Sequence, residues 1–142
     1  ARRPTAVVGA RYPAHATSLG RVLLAGLPDA DFDRYMREVE PVALTKKTVI
    51  DKAQIRAIVE EVRERNFATT VDQLDYGITA LAVPIRGASG RTIAALNSSG
   101  YTGLITADDL VANRLQELRM SAGRIAQTLS RYPVLESIIG TR

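Results

Sequence analysis

The chain has 142 residues, enough for one domain with a real core, and its 46% hydrophobic and 24% charged content is that of a folded globular protein. With no cysteine and one histidine it excludes disulfides and thiolate metal sites, and Asp29, Asp31 and Asp33 lack the glycine of a calcium loop, so no metal is expected. The net charge of +4 is interleaved with acids, as in Glu60, Glu61, Arg63, Glu64 and Arg65, and aromatics make up only 5%, which argues against a nucleic-acid surface in this chain.

In chain order, Val7, Val8 and Gly9 read as an extended lead-in to Pro13. Thr17 and Ser18, both good N-cap types, then open a helix with Leu19, Val22, Leu23 and Leu27 as its apolar stripe. The first turn of such a helix has N–H groups without intrahelical partners and carries the positive end of the macrodipole. Ala14, Ala16, Ser18 and Gly20 are small and leave room for something to approach. Two readings stand side by side: residues 17 and 18 merely cap a core helix, or the helix start cradles a carboxylate.

A second helix follows Pro28, with Asp29 and Asp31 in its first turn and Phe32, Tyr35, Met36 and Val39 at helical spacing. Residues 40–50 contain Pro41 and the β-branched pair Thr48 and Val49 and read as irregular. Asp51 caps a third helix, Ile55, Ile58, Val59 and Val62 form its apolar face, and Asn66 ends it. Its other face is charged, so this helix is expected to lie on a sheet with one side wet. From Phe67 the pattern turns to strand through Thr69, Thr70 and Val71.

Residues 78–86 and 91–98 read as a hairpin joined by the four residues 87–90, with Pro84 at an edge or a bulge. The last helix opens at Thr106 with Asp108 and Asp109 in its first turn. Its seam of Val111, Leu115, Leu118, Ala122, Ile125 and Leu129 suits packing on a sheet or against another helix, and Pro133 is expected to stop it. These elements give an α+β domain: an antiparallel sheet flanked by helices, with a long C-terminal helix.

Little in the chain looks catalytic. His15 could serve Thr17 or Ser18 as a base, but no G-x-S-x-G turn presents a nucleophile, and a lone histidine there reads as a structural hydrogen-bonder. Gly87 and Gly90 are too closely spaced for a phosphate loop and belong to the hairpin. Asn97 and Ser99 share one strand face with Ile93 and Ala95. Either they bind a ligand oxygen, or the strand runs out into solvent with Gly100 ending it.

The segment HATSLGRVLLAGLP resembles the start of the effector-binding domain of IclR-family transcriptional regulators, in particular the branch controlling aromatic-acid (β-ketoadipate pathway) catabolism. LTKKTVIDKAQIRAIVEEVRERNFA, DQLDYGITALAVPIRGASGRTIAALNSSG and the terminal RYPVL agree in order, so the likeness spans residues 9–135. Residues 1–8 match poorly; relatives carry further strand sequence there, so upstream material is divergent or missing.

The resemblance implies a GAF-like, non-enzymatic ligand-sensing domain over residues 1–142. It implies a small organic acid as effector, no cofactor, a homo-dimer or tetramer, and DNA contact only through a winged helix-turn-helix absent from this chain. It places the carboxylate cradle at the amides of Ser18 and Leu19 and the strand contacts at Thr70, Ala80, Asn97 and Ser99. Ser99 keeps the family's hydroxyl and Asn97 stands for a smaller serine, while Thr70 and Ala80 replace an acid and a thiol. The less polar pocket suits an aromatic acid or a ring-cleavage product better than glyoxylate or pyruvate. The alternatives are a GAF-like oligomerisation module without a ligand, and a small hydrolase using His15. No membrane span or signal peptide is visible, and the lack of cysteine fits a cytoplasmic location.

Overall fold

The computed structural model describes residues 7–140, so positions 1–6 of the divergent N-terminal stretch lie outside the described residues. The expected extended lead-in is a turn instead: Ala10 N–H bonds the Val7 carbonyl at 3.1 Å, and Gly9 takes φ 90°, which a residue without a Cβ reaches freely. A single 3-10 turn over Ala14–Ala16 follows, then α1 (Ser18–Ala25), α2 (Asp29–Glu38) and α3 (Lys52–Arg65). The sheet is built from β1 (Ala68–Val71), β2 (Ile78–Arg86) and β3 (Thr92–Tyr101), and α4 (Ala107–Ser130) and α5 (Pro133–Gly140) close the order.

The sheet is antiparallel in the order β1-β2-β3. Its two faces are built differently. Leu81, Val83 and Ile85 point to one side and join Phe67, Leu110 and Ala122 under α4. Ala68 and Ala82 point to the other and join Val22 and Val62, with Leu19 and Ala95 packed at the edge. Large side chains thus fill the α4 side and small ones the α1 side, where a helix approaches closely. On the outer side of α1, its Leu24 joins Phe32, Met36, Ile55 and Val59 in a further cluster that binds α2 and α3 to it.

The helix boundaries follow their caps. Asp51 accepts from Gln54 N–H at 3.0 Å, Asn66 ends α3 in the left-handed region at φ 60°, and Thr106 and Asp109 form a reciprocal capping box. Several expectations are corrected by packing. The third helix lies on α1 and α2, and only Val62, near its end, reaches the sheet-side cluster. In α1 the inner residues include Val22 and Leu24, whereas Leu23 is 42% exposed, because α1 is covered on two sides and its inner arc is turned from the expected stripe.

Pro84 sits in the central strand, two residues past Ala82, the last β2 residue paired with β1. Among the described residues the strand has a neighbour on one side only at that point, and a register shift follows between Ile85 and Arg86. The hairpin loop is 87–91, one residue longer than expected, and β3 runs through Gly100 to Tyr101 instead of ending there. Gly100 pairs with Thr79 in the ladder, and Ile105 lies over it where a Cβ would come within 2.6 Å of the Ile105 side chain. On α4, Leu110 and Ala122 are the buried positions and Ile125 is exposed. Pro133 begins α5 rather than only ending α4, since a first helical position needs no N–H.

Candidate functional site

The start of α1 is shaped by backbone closure. Ala16 N–H bonds the Pro13 carbonyl, Thr17 turns extended at φ −126° and ψ 146°, and its hydroxyl donates to the Pro13 carbonyl at 3.2 Å. The same oxygen accepts Gly20 N–H at 3.0 Å, and the first α-helical bond runs from Arg21 N–H to the Thr17 carbonyl at 3.0 Å. Ser18 and Leu19 precede that bond, so helix geometry gives their N–H groups no intrahelical acceptor. Gly20 permits the closure: a Cβ there would stand 2.3 Å from the Ala14 Cα and 2.5 Å from its carbonyl oxygen.

The strand residues fall into rows. Thr70 pairs with Ala80 and Ala80 with Ser99; Ala68 pairs with Ala82 and Ala82 with Asn97. Cross-strand partners share a face. Because Ala68 and Ala82 pack under α1, Thr70, Ala80, Asn97 and Ser99 all belong to the face that α1 covers. Leu19 packs on the cluster beside them. The burial is uneven: Ser18, Thr70 and Ala80 are buried, whereas Asn97 and Ser99, on β3, are exposed. The structure therefore brings the helix start together with β1 and β2 and leaves the β3 side of the arrangement open.

Two groups that sequence reasoning missed close one end of this arrangement. Arg21 is only 5% exposed; its Nε donates to the His15 carbonyl at 3.0 Å and its Nη2 to Gln73 Oε1 at 3.1 Å. Burial pushes the guanidinium pKa down to about 10, so it remains charged at neutral pH. Gln73 Oε1 also accepts Val49 N–H at 2.9 Å, while its Nε2 donates to the Lys47 carbonyl at 2.9 Å. Arginine in a helix reads as solvated until the packing on both sides of that helix is known, so the sequence held no signal for it.

The second group is Asp72, which adopts φ 55° at the end of β1. Its Oδ1 accepts from Thr102 Oγ1 at 2.7 Å and from Gly77 N–H at 2.8 Å, and Lys47 Nζ lies 3.7 Å from Oδ2. The Thr102 hydrogen bond, with help from Gly77 and Lys47 and against the cost of burial, holds the carboxyl below the usual carboxylate range. Thr45 and Thr48 donate to the backbone carbonyls of Asp72 and Gln73, tying the irregular segment 40–50 to the β1–β2 loop.

His15 is 3% exposed, with Nε2 3.0 Å from the Val42 carbonyl. A carbonyl only accepts, so that nitrogen carries a proton and is engaged structurally, and the hydroxyl of Thr17 is committed to Pro13 and Gly20. Among the described residues no group of three acidic or histidine side chains is arranged to hold a metal ion, and no helix is long and apolar enough to cross a membrane.

The antiparallel sheet with α1 on its small-residue face and a long C-terminal helix on the other defines an α+β domain of the kind found in bacterial regulators. Residues 2–127 match the family described as bacterial transcriptional regulator IclR C-terminal, and the chain belongs to it. It is 35% identical over 117 residues to the Pca regulon regulatory protein of Pseudomonas putida, covering 82% of this chain and 40% of that protein. It is 32% identical over 118 residues to the p-hydroxybenzoate hydroxylase transcriptional activator of Acinetobacter baylyi, covering 83% of this chain and 44% of that protein. The chain thus spans less than half the length of these relatives. Among solved structures, it resembles the inducer-binding domain of an Acinetobacter PobR double mutant in complex with 3-hydroxybenzoic acid. That match has 32% identity and a TM-score of 0.78, covering 83% of this chain and 69% of that one.

Proposed function

We propose that this chain is the effector-sensing part of a transcriptional regulator and binds an aromatic or related carboxylic acid between α1 and the sheet. The observation that carries the reading is the juxtaposition of the α1 start with the face holding Thr70, Ala80, Asn97 and Ser99. The N–H groups of Ser18 and Leu19 would meet the carboxylate, Asn97 and Ser99 would meet ring substituents, and Thr70 and Ala80 would line the inner wall. Relatives whose names tie them to the Pca regulon and to p-hydroxybenzoate support the aromatic choice. On this reading DNA contact belongs to a winged helix-turn-helix outside these 142 residues, and the domain self-associates as a dimer or tetramer.

The test is calorimetry with 3-hydroxybenzoate and 4-hydroxybenzoate on wild type, Ser18→Pro, Asn97→Leu and Ser99→Val. Proline suits the first helical position after the extended Thr17 and removes one cradle N–H. Losing a hydrogen bond to a carboxylate costs about 1.5–3 kcal/mol, roughly 10- to 150-fold in affinity. Wild-type binding that survives unchanged in all three variants would place the acid elsewhere. Thermal stabilisation gives a second readout, since a ligand at 100 times its dissociation constant adds about 2.7 kcal/mol.

A further inference from the structure

Arg21 is a buried cation with no buried anion beside it. Its recorded hydrogen-bond acceptors, the His15 carbonyl and Gln73 Oε1, are both neutral. None of the ion pairs among the described residues includes it. The carboxylate of the adjoining loop, Asp72, is already engaged by Thr102, Gly77 and Lys47. Gln73 cannot turn away: Val49 N–H can only donate, which fixes the amide oxygen toward both donors, and the amide nitrogen is held by the Lys47 carbonyl. The guanidinium is thus locked in place by neutral groups, with its charge left over.

Its position makes the surplus charge informative. Helical side chains lean toward the N-terminus, and the bond to the His15 carbonyl puts this guanidinium ahead of the first residue of α1. The N–H groups of Ser18 and Leu19 and the positive end of the helix dipole sit at that same end. A cation there is disfavoured by the dipole and by burial alike. The arrangement is electrostatically complete only when an anion joins it, and arginine, unlike lysine, keeps its charge under such burial.

We infer that Arg21 is the buried counter-charge for the effector's carboxylate, a positioning residue that makes this site prefer an acid over the corresponding uncharged amide. The inference rests on the effector reading above. Arg21 acts from behind the cradle: it holds the His15 carbonyl, and with it the direction in which the chain enters Thr17 and Ser18, and it supplies positive potential through a region from which water is largely excluded. The role is selectivity by charge, with shape left to the strand residues.

The experiment measures binding of 3-hydroxybenzoate and 3-hydroxybenzamide to wild type, Arg21→Met and Arg21→Lys, and follows thermal stability in acetate against acetamide at equal concentration and ionic strength. Arg21→Met is expected to lose at least about ten-fold in affinity for the acid while the amide changes little, collapsing the acid-to-amide ratio. Arg21→Lys, whose ammonium loses its charge more readily on burial but regains it beside a bound anion, is expected to keep a larger acid-to-amide ratio than Arg21→Met, which a purely structural role would not explain. Arg21→Gln, which retains donors for the His15 carbonyl, replaces the methionine variant if that one does not fold. An unchanged acid-to-amide ratio in folded Arg21→Met or Arg21→Gln overturns the inference and leaves the effector reading standing. If wild type ignores hydroxybenzoates yet is stabilised by acetate in an Arg21-dependent way, the aromatic reading fails and the counter-charge stands. No response to either anion in wild type overturns both.

Discussion

The two glycines of α1 and α4 offer one substitution with opposite outcomes. In Gly20→Ala the new Cβ would lie 2.3 Å from the Ala14 Cα and 2.5 Å from its carbonyl oxygen, both backbone atoms, with Thr17 Oγ1 at 2.7 Å. Reaching ordinary contact at 3.4 Å requires the 3-10 turn and α1 to part by 1.1 Å (3.4 − 2.3), which also strains the Thr17 cap. Overpacking of this kind costs about 1–3 kcal/mol and occasionally more, and a lost cap about 1 kcal/mol. The helix-propensity gain of alanine returns only about 1 kcal/mol. The net expectation is a loss of about 1–3 kcal/mol, or roughly 4–12 °C in Tm for a domain of this size. A Cβ at Gly123, in the interior of α4, would have nothing within 4 Å, so Gly123→Ala should gain about 0.5–1 kcal/mol. Urea unfolding monitored by circular dichroism, with unchanged m-values, measures both. A Gly20→Ala protein as stable as Gly123→Ala would refute the close approach of the turn to α1.

Two further stability predictions concern the sheet. Leu81→Ala, at a fully buried β2 position under α4, should cost about 2–5 kcal/mol in the same assay, and a loss under 1 kcal/mol would mean that α4 does not seal that face. Asp72→Asn probes pH dependence. The folded carboxyl titrates below its unfolded value, so its contribution is fully present above about pH 4 and is lost as pH falls through the lower, folded pKa. The stability gap between wild type and Asp72→Asn should therefore be flat from neutral pH down to about 4 and shrink at lower pH. A gap that instead widens on acidification would contradict the bonding assigned to Thr102 and Gly77.

What the sequence determined by itself is local in origin. Asp51, Asn66 and Thr106 with Asp109 mark helix ends because their side chains or their tolerance of positive φ satisfy terminal backbone groups within a few residues. The alternation of side chains along a strand sets which residues share a face, so spacing alone puts Asn97 and Ser99 together. The likeness over residues 9–135 carried the family and the order of elements, and the family match over residues 2–127 agrees with it. Tertiary structure decided everything that depends on what lies on the far side of an element. Leu23 became exposed and Leu24 buried because α1 is sandwiched between the sheet and α2–α3, a double cover that a single amphipathic stripe cannot encode. Asn97 and Ser99 ended exposed although Thr70 and Ala80 on the same face are buried, because burial depends on what packs over each part of the face and not on strand pattern. Arg21 gives the sharpest instance: its charge is visible in the sequence, but its burial arises only when the His15 carbonyl, Gln73 and Val49, from three separate stretches of chain, close around one guanidinium and the amide that holds it.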